Sequence, residues 1–182
     1  MIATLTGTVT HKLDSSLVIE INGIGYEVLM IVDDWGTAKL GTKMSFHIYE
    51  QIREDAHNLY GFTDLRAKEL FIKLLGVNGV GPKVALATLS AAGVDRLSQA
   101  IASGDTSLLK GISGVGKKTA ERIMVELAGK VTTVAAPLHD ETYQALMGLG
   151  YSSAQAAEAL QSIPDDVTDV SERIKIALKG MR

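Results

Sequence analysis

The sequence predicts an α+β chain of three modules: an N-terminal five-stranded barrel of the OB type, a central tandem helix-hairpin-helix domain and a C-terminal three-helix bundle. Three observations carry that prediction. Apolar residues alternate with period 2 up to residue 62, they recur at helical spacing beyond it, and one glycine-rich motif occurs twice with a 35-residue offset. The divisions fall at residues 1–63, 64–130, a linker at 131–140, and 141–182.

The barrel module reads as about five short strands. Leu17, Ile19 and Ile21 alternate, as do Tyr26, Val28, Met30 and Val32, and again Met44, Phe46 and Ile48. Further runs lie at 2–12 and 56–62, with a short irregular or helical stretch near 33–40. Asn22-Gly23 stands between two runs and predicts a hairpin turn, because both residues tolerate positive φ. After Phe62 the period changes. Thr63 and Asp64 are N-cap candidates, and Ala67, Leu70, Phe71, Leu74 and Leu75 follow at helical spacing.

Residues 130–140 have no periodicity and read as a short linker. Beyond it, Tyr143, Leu146 and Met147 mark one helix, stopped by Gly148 and Gly150. Ser152-Ser153-Ala154-Gln155 is a capping box for a second. Pro164-Asp165-Asp166 breaks the chain, and Val167, Val170, Ile174, Ala177, Leu178 and Met181 draw the apolar stripe of a third. Three short helices bury only a small core, which suits a partner-binding unit.

Composition bounds the function. The chain has 182 residues, 46% hydrophobic and 21% charged, within the globular range. Cysteine is absent, which excludes disulfides and thiolate sites. No apolar run is long enough to span a bilayer and no signal peptide is evident, so the expectation is a soluble, cytoplasmic protein with no membrane partner. The net charge of −3 argues weakly against nucleic acid, but it hides a partition. Residues 1–63 hold 4 Lys/Arg against 8 Asp/Glu, residues 64–130 hold 10 against 6, and residues 131–182 hold 4 against 7. The basic segment is the one that carries the repeat.

In that repeat, Leu74-Leu75-Gly76-Val77-Asn78-Gly79-Val80-Gly81-Pro82-Lys83-Val84-Ala85 aligns with Leu109-Lys110-Gly111-Ile112-Ser113-Gly114-Val115-Gly116-Lys117-Lys118-Thr119-Ala120. Each copy predicts a helix end, a Gly-Val-Gly hairpin and a new helix, beginning at Pro82 and at Lys117. Glycine allows close backbone approach, and the exposed N–H groups at a helix N-terminus form an anion site. Lys83, Lys117 and Lys118 stand beside those groups, with Arg122 one turn on. The candidate phosphate-binding residues are therefore Gly79, Val80, Gly81 and Lys83 in one copy. In the other they are Gly114, Val115, Gly116, Lys117, Lys118 and Arg122. Two phosphates held at a fixed separation position a nucleic-acid backbone without reading bases. The same glycines read simply as tight helix connections if they bind nothing.

Two other readings of the glycines fit less well. Gly111 to Lys117 matches the start of a P-loop, but the residue that should hold Mg²⁺ is Lys118 and no buried strand precedes it. The dinucleotide fingerprint fails because its third glycine position holds Val84 or Thr119. His11, His47, His57 and His139 show no metal-ligand spacing, so neither metal nor cofactor is expected. Aromatic residues are 5% of the chain, and most, such as Tyr26 and Phe46, alternate like core positions, so no single-strand stacking platform is expected on the barrel.

The tandem hairpins behind a small barrel resemble the RuvA family, whose members bind Holliday junctions and partner the RuvB branch-migration motor. The resemblance covers the whole chain. It rests on Met1-Ile2, Gly23-Ile24-Gly25-Tyr26-Glu27-Val28 and Leu59-Tyr60-Gly61-Phe62. It also rests on Asn78 to Lys83, Gly116 to Arg122 and Gly148-Leu149-Gly150-Tyr151. It implies four-way junction DNA, a RuvB-like hexameric ATPase and a homotetramer, possibly paired, as partners. It further implies that Glu54 and Asp55 of Arg53-Glu54-Asp55-Ala56 form an acidic pin, and that the third module, through Leu146, Met147 and Leu149, meets the motor.

From the residues alone, Arg53 to Ala56 is a charged turn between the fourth and fifth strands, compatible with a solvated hairpin tip. A nuclease reading would use Glu54 and Asp55 as metal ligands, but they lack a buried third ligand and a His or Lys partner. The expected function is non-catalytic, structure-selective DNA binding. The alternatives are a repair enzyme that docks through the hairpins and a protein-interaction scaffold. One departure from the family pattern is the short linker, with a single proline.

Overall fold

A computed structural model describes residues 1–131, 141–151, 153–161, 163, 164, 167 and 169–180. The chain forms two compact units, Met1–Ala128 and Gly129–Arg182. The linker read at 131–140 lies outside the described residues except for Val131, as do His139, Ser152, Asp165, Asp166 and Met181.

Five strands open the first unit: β1 (Thr4–Lys12), β2 (Ser16–Ile21), β3 (Ile24–Met30), β4 (Lys43–Ile52) and β5 (His57–Phe62). They close into a barrel in the order β1-β2-β3-β5-β4, with β1 also paired to β4. Every pairing is antiparallel except β3 with β5. The alternation sets the register. Val9, Leu17, Ile19 and Val28 are fully buried, and Phe46 and Ile48 nearly so. Asn22 and Gly23 turn the chain at φ 51° and 81°, the paired positive values that a two-residue hairpin with right-twisting strands requires. Gly61 sits where β5 joins both neighbours. A Cβ there would lie 2.5 Å from Val28 Cγ1, so only hydrogen fits.

Val32 departs from its predicted strand. It begins α1 (Val32–Thr37) and is 63% exposed. The reason lies in the two aspartates after it. Asp33 and Asp34 favour the positive end of a helix, and the buried Asp34 carboxylate accepts the Thr63 N–H at 2.9 Å and its hydroxyl. That pair ties α1 to the end of β5.

The chain then turns helical: α2 (Leu65–Leu75), α3 (Pro82–Ala92), α4 (Val94–Ser103), a 3-10 turn at Thr106–Leu109 and α5 (Lys117–Leu127). Asp64 caps α2 by accepting the Arg66 N–H at 2.8 Å. The apolar faces meet in one interior that includes Phe71, Leu74, Ala85, Leu97, Leu109 and Ile123, each at 0% exposure. This helical layer is packed onto the barrel. Phe71 of α2 lies 5.4, 5.2 and 5.1 Å from the rings of Tyr49, Tyr60 and Phe62 on β4 and β5. Burial there pushes the Tyr60 phenol above its usual range. Ser90 of α3 adds a hydrogen bond from the Val32 N–H at 3.1 Å.

In the second unit, α6 (Glu141–Gly148), α7 (Ser153–Gln161) and α8 (Val170–Gly180) share a core of Tyr143, Leu146, Ala156, Ala159, Ile163 and Ala177. Gly150, at φ 93°, ends α6 in a Schellman motif: the Tyr151 N–H reaches the Leu146 carbonyl and the Gly150 N–H that of Met147.

Phe71 is the aromatic shared by helices and barrel, so Phe71→Ala should cost about 3–5 kcal/mol, read by urea denaturation followed by circular dichroism. A loss under about 1 kcal/mol would show that the joint contributes little.

Candidate nucleic-acid interface

The two copies of the repeat fold alike. In the first, Val77 to Val80 form a tight turn closed by the Val80 N–H on the Val77 carbonyl at 3.0 Å. In the second, Ile112 to Val115 do the same at 3.0 Å. The third residue of each turn is glycine at positive φ, 88° at Gly79 and 84° at Gly114, as a type II turn demands. The second glycine of each motif has a different role. Gly81 and Gly116 sit at φ −92° and −80°, extended values open to any residue, and each is the N-cap of the following helix. Neither offers a capping side chain, so the first-turn N–H groups, which in α3 begin at Lys83 because Pro82 has none, have no N-cap side-chain acceptor. A Cβ at Gly81 or Gly116 would meet nothing within 4 Å, so the fold does not require glycine there.

Lys83, Lys117 and Lys118 are exposed beside these helix starts. Among the described residues none of them is held in an ion pair. Val80 is 6% exposed, so its contribution to any ligand is its main chain. Gly116 and Lys117 also line a concavity of about 370 Å³ with Lys110 and Gly111, where Glu121 is the acidic wall. Lys110 is not singled out by aligning the repeats, because its counterpart in the first copy is the apolar Leu75.

The structure brings the two hairpins against each other. A Cβ on Gly114 would lie 2.7 Å from Val84 Cγ2 of α3. In return, Arg122 of α5 donates to the Asn78 carbonyl at 2.9 Å. Arg122 is thus engaged with the other hairpin, unlike the lysines.

Glu54 and Asp55 belong to the barrel instead. They are exposed on the turn between β4 and β5, which the Arg53 N–H closes on the Ala56 carbonyl at 2.8 Å. At the base of this hairpin the Glu50 side chain, 7% exposed, accepts the Ile2 N–H at 2.7 Å and His57 Nε2 at 2.8 Å. The Ile2 main-chain bond, then the His57 bond, hold the Glu50 carboxyl below its usual range. Among the described residues no cluster of three or more His, Asp or Glu could hold a metal ion, and no helix is long and apolar enough to cross a membrane. The P-loop reading of Gly111 to Lys117 is also set aside, since a 3-10 turn and not a strand precedes it.

Of the three residues expected to meet a motor, Leu146 is corrected. It is at 0% exposure in the core of the three-helix unit, where the Schellman motif draws Tyr151 over it. Met147 and Leu149, 38% and 61% exposed, remain at the surface.

Comparison with known proteins agrees with this geometry module by module. Residues 1–61 match the RuvA N terminal domain, 71–128 the SAM-like helix-hairpin-helix tandem and 137–182 the RuvA C-terminal domain. The chain belongs to the RuvA family. Its relatives include the Holliday junction branch migration complex subunit RuvA of Chromobacterium violaceum, 39% identical with 100% of this chain and 98% of that one covered. Those of Pseudomonas paraeruginosa and Albidiferax ferrireducens are each 38% identical, with 100% of this chain and 100% and 99% of theirs covered. The RuvA-type barrel is the closed five-stranded one, β1 to β5, and the hairpin tandem of the family is the α2–α5 layer.

The two glycines of each motif should separate on substitution. Gly114→Ala should destabilise by about 1–3 kcal/mol through its positive φ, with the Val84 contact adding to it, while Gly116→Ala should cost less than about 1 kcal/mol. Urea midpoints of the two variants, measured without DNA, check this.

Proposed function

We propose that this chain binds four-way (Holliday) DNA junctions without catalysis and holds them open for branch migration driven by a RuvB-like hexameric ATPase. The observation that carries the reading is the pair of hairpins. Two uncapped helix N-termini, each flanked by exposed lysine, are fixed against one another on one compact unit. Gly79, Val80, Gly81 and Lys83 hold one phosphate, and Gly114, Val115, Gly116, Lys117 and Lys118 hold another, by main-chain N–H groups, helix dipoles and ammonium charge. Such contacts position a duplex arm and read no sequence.

Four copies form a homotetramer, singly or as a pair enclosing the junction, and work in the cytoplasm. Glu54 and Asp55 of each copy meet at its centre as an acidic pin. Their carboxylates repel phosphates entering the crossover while the lysines farther out hold the arms, which keeps the junction open and square. The pin steers strands and cuts nothing. Residues 1–63 supply the pin and the subunit scaffold, and 64–130 the DNA contacts. Residues 131–140 link these to 141–182, which meet the motor through Met147 and Leu149. The names of the relatives, each a Holliday junction branch migration complex subunit, support the same reading.

The test is a metal-free band-shift titration of a four-way junction against a linear duplex of the same sequences, over a range of salt concentrations. Junction preference with steep salt dependence is expected, and equal binding to both would reduce the protein to a general duplex binder. Lys83→Glu with Lys118→Glu should weaken junction binding at least about tenfold and lower the salt slope by about two for each of the four subunits on the junction, with the circular dichroism spectrum unchanged. Retained binding would overturn the phosphate assignment. Glu54→Lys with Asp55→Lys should keep junction binding and alter strand separation in a branch-migration assay with the motor. Loss of the tetramer, read by light scattering, would make those residues structural instead.

A further inference from the structure

We infer that Arg122 is a positioning residue that locks the first hairpin in its phosphate-ready form, and is not itself a phosphate ligand. The inference rests on the phosphate reading of the hairpins. Arg122 Nη1 donates to the Asn78 carbonyl at 2.9 Å and lies 3.4 Å from Asn78 Oδ1. Asn78 and Gly79 are the two central residues of the turn that Val77 and Val80 close. The peptide between them is the one whose orientation separates type I from type II turns, and only the type II orientation places the third residue at positive φ. Gly79 is at φ 88°. By holding the Asn78 oxygen, Arg122 holds that peptide, and through it the direction of the amides beyond. Val77 and Val80 anchor the turn at 2% and 6% exposure, but Asn78 is exposed and Gly79 has no side chain, so neither central residue packs to fix the peptide between them.

Charge supports the same division of labour. Arg122 Nε lies 3.9 Å from the Glu126 carboxylate one turn along α5, which offsets its positive field. Lys83, Lys117 and Lys118 have no such acidic partner among the described residues. The second hairpin is steadied differently: its Gly114 rests against Val84 of α3, where a Cβ would lie at 2.7 Å. The two motifs thus clasp each other, one by a hydrogen bond and one by van der Waals contact, and the clasp sets the separation of the two anion sites.

Arg122→Lys keeps the charge and removes the planar fork, which makes it the discriminating variant. Two readouts are needed on the full chain: amide resonances without DNA, and junction affinity as a function of salt. A positioning role predicts that the Gly79 and Val80 amide signals shift or broaden in Arg122→Lys while those of Gly114 and Val115 stay in place. Junction affinity should fall about tenfold at every salt concentration, with the slope of the parent protein. Lys118→Ala, the reference for a true phosphate contact, should lower the slope by about one for each of the four subunits and leave the Gly79 amide unmoved.

The inference is overturned if Arg122→Lys matches the parent in both readouts while Arg122→Met loses about one unit of slope per subunit, since that is the behaviour of a phosphate ligand. No effect of Lys118→Ala on affinity or slope would overturn the phosphate reading, and with it the purpose of the clasp, whatever the amides show.

Discussion

The packing of Phe71 against Tyr49, Tyr60 and Phe62 is the interaction on which the rest depends. It fuses a barrel and a helical repeat, two elements with separate cores, into one body. The acidic turn is anchored in the barrel and the basic hairpins in the helices. The joint therefore holds the acidic turn and the basic hairpins in a fixed relation on one unit. The Asp34–Thr63 and Val32–Ser90 bonds reinforce that relation at the periphery, but neither buries the apolar area that four aromatic rings do.

An acidic chain can still carry a locally positive surface. The helix N-termini of α3 and α5 present partial positive charge from main-chain groups that no residue count includes. Formal positive charge is then added only where those ends lie, in the basic central segment. The negative surplus elsewhere includes Glu54 and Asp55 at the barrel tip. Charge here is sorted by position, and the total says little.

Much of this was legible in the sequence, for identifiable reasons. The barrel was readable because period-2 alternation is dictated by a buried face, and the hairpins because the repeat forces glycine at the positive-φ turn position in both copies. Val32 misled because a β-branched residue continued the alternation, whereas Asp33 and Asp34 start a helix there. Leu146 was misread because an apolar residue next to a surface loop looks the same in sequence whether it faces inward or outward. The partnership of Arg122 with Asn78 spans 44 positions and depends on how two helices cross, which no local pattern encodes. The aromatic joint was hidden for the same reason: its four rings come from three elements.

The closure of the barrel has a consequence for behaviour in crowded conditions. β1 pairs with both β2 and β4, and β5 with both β3 and β4, so every strand has a neighbour on each side, although β3 meets β5 only over Val28 to Met30. An open five-stranded sheet would offer two rows of unpaired N–H and C=O groups as templates for a neighbouring chain. Closure leaves only short stretches, such as Ile24 to Glu27 at the start of β3, without a ladder partner on one side, so copies of this protein concentrated at one place offer each other little strand edge to build on.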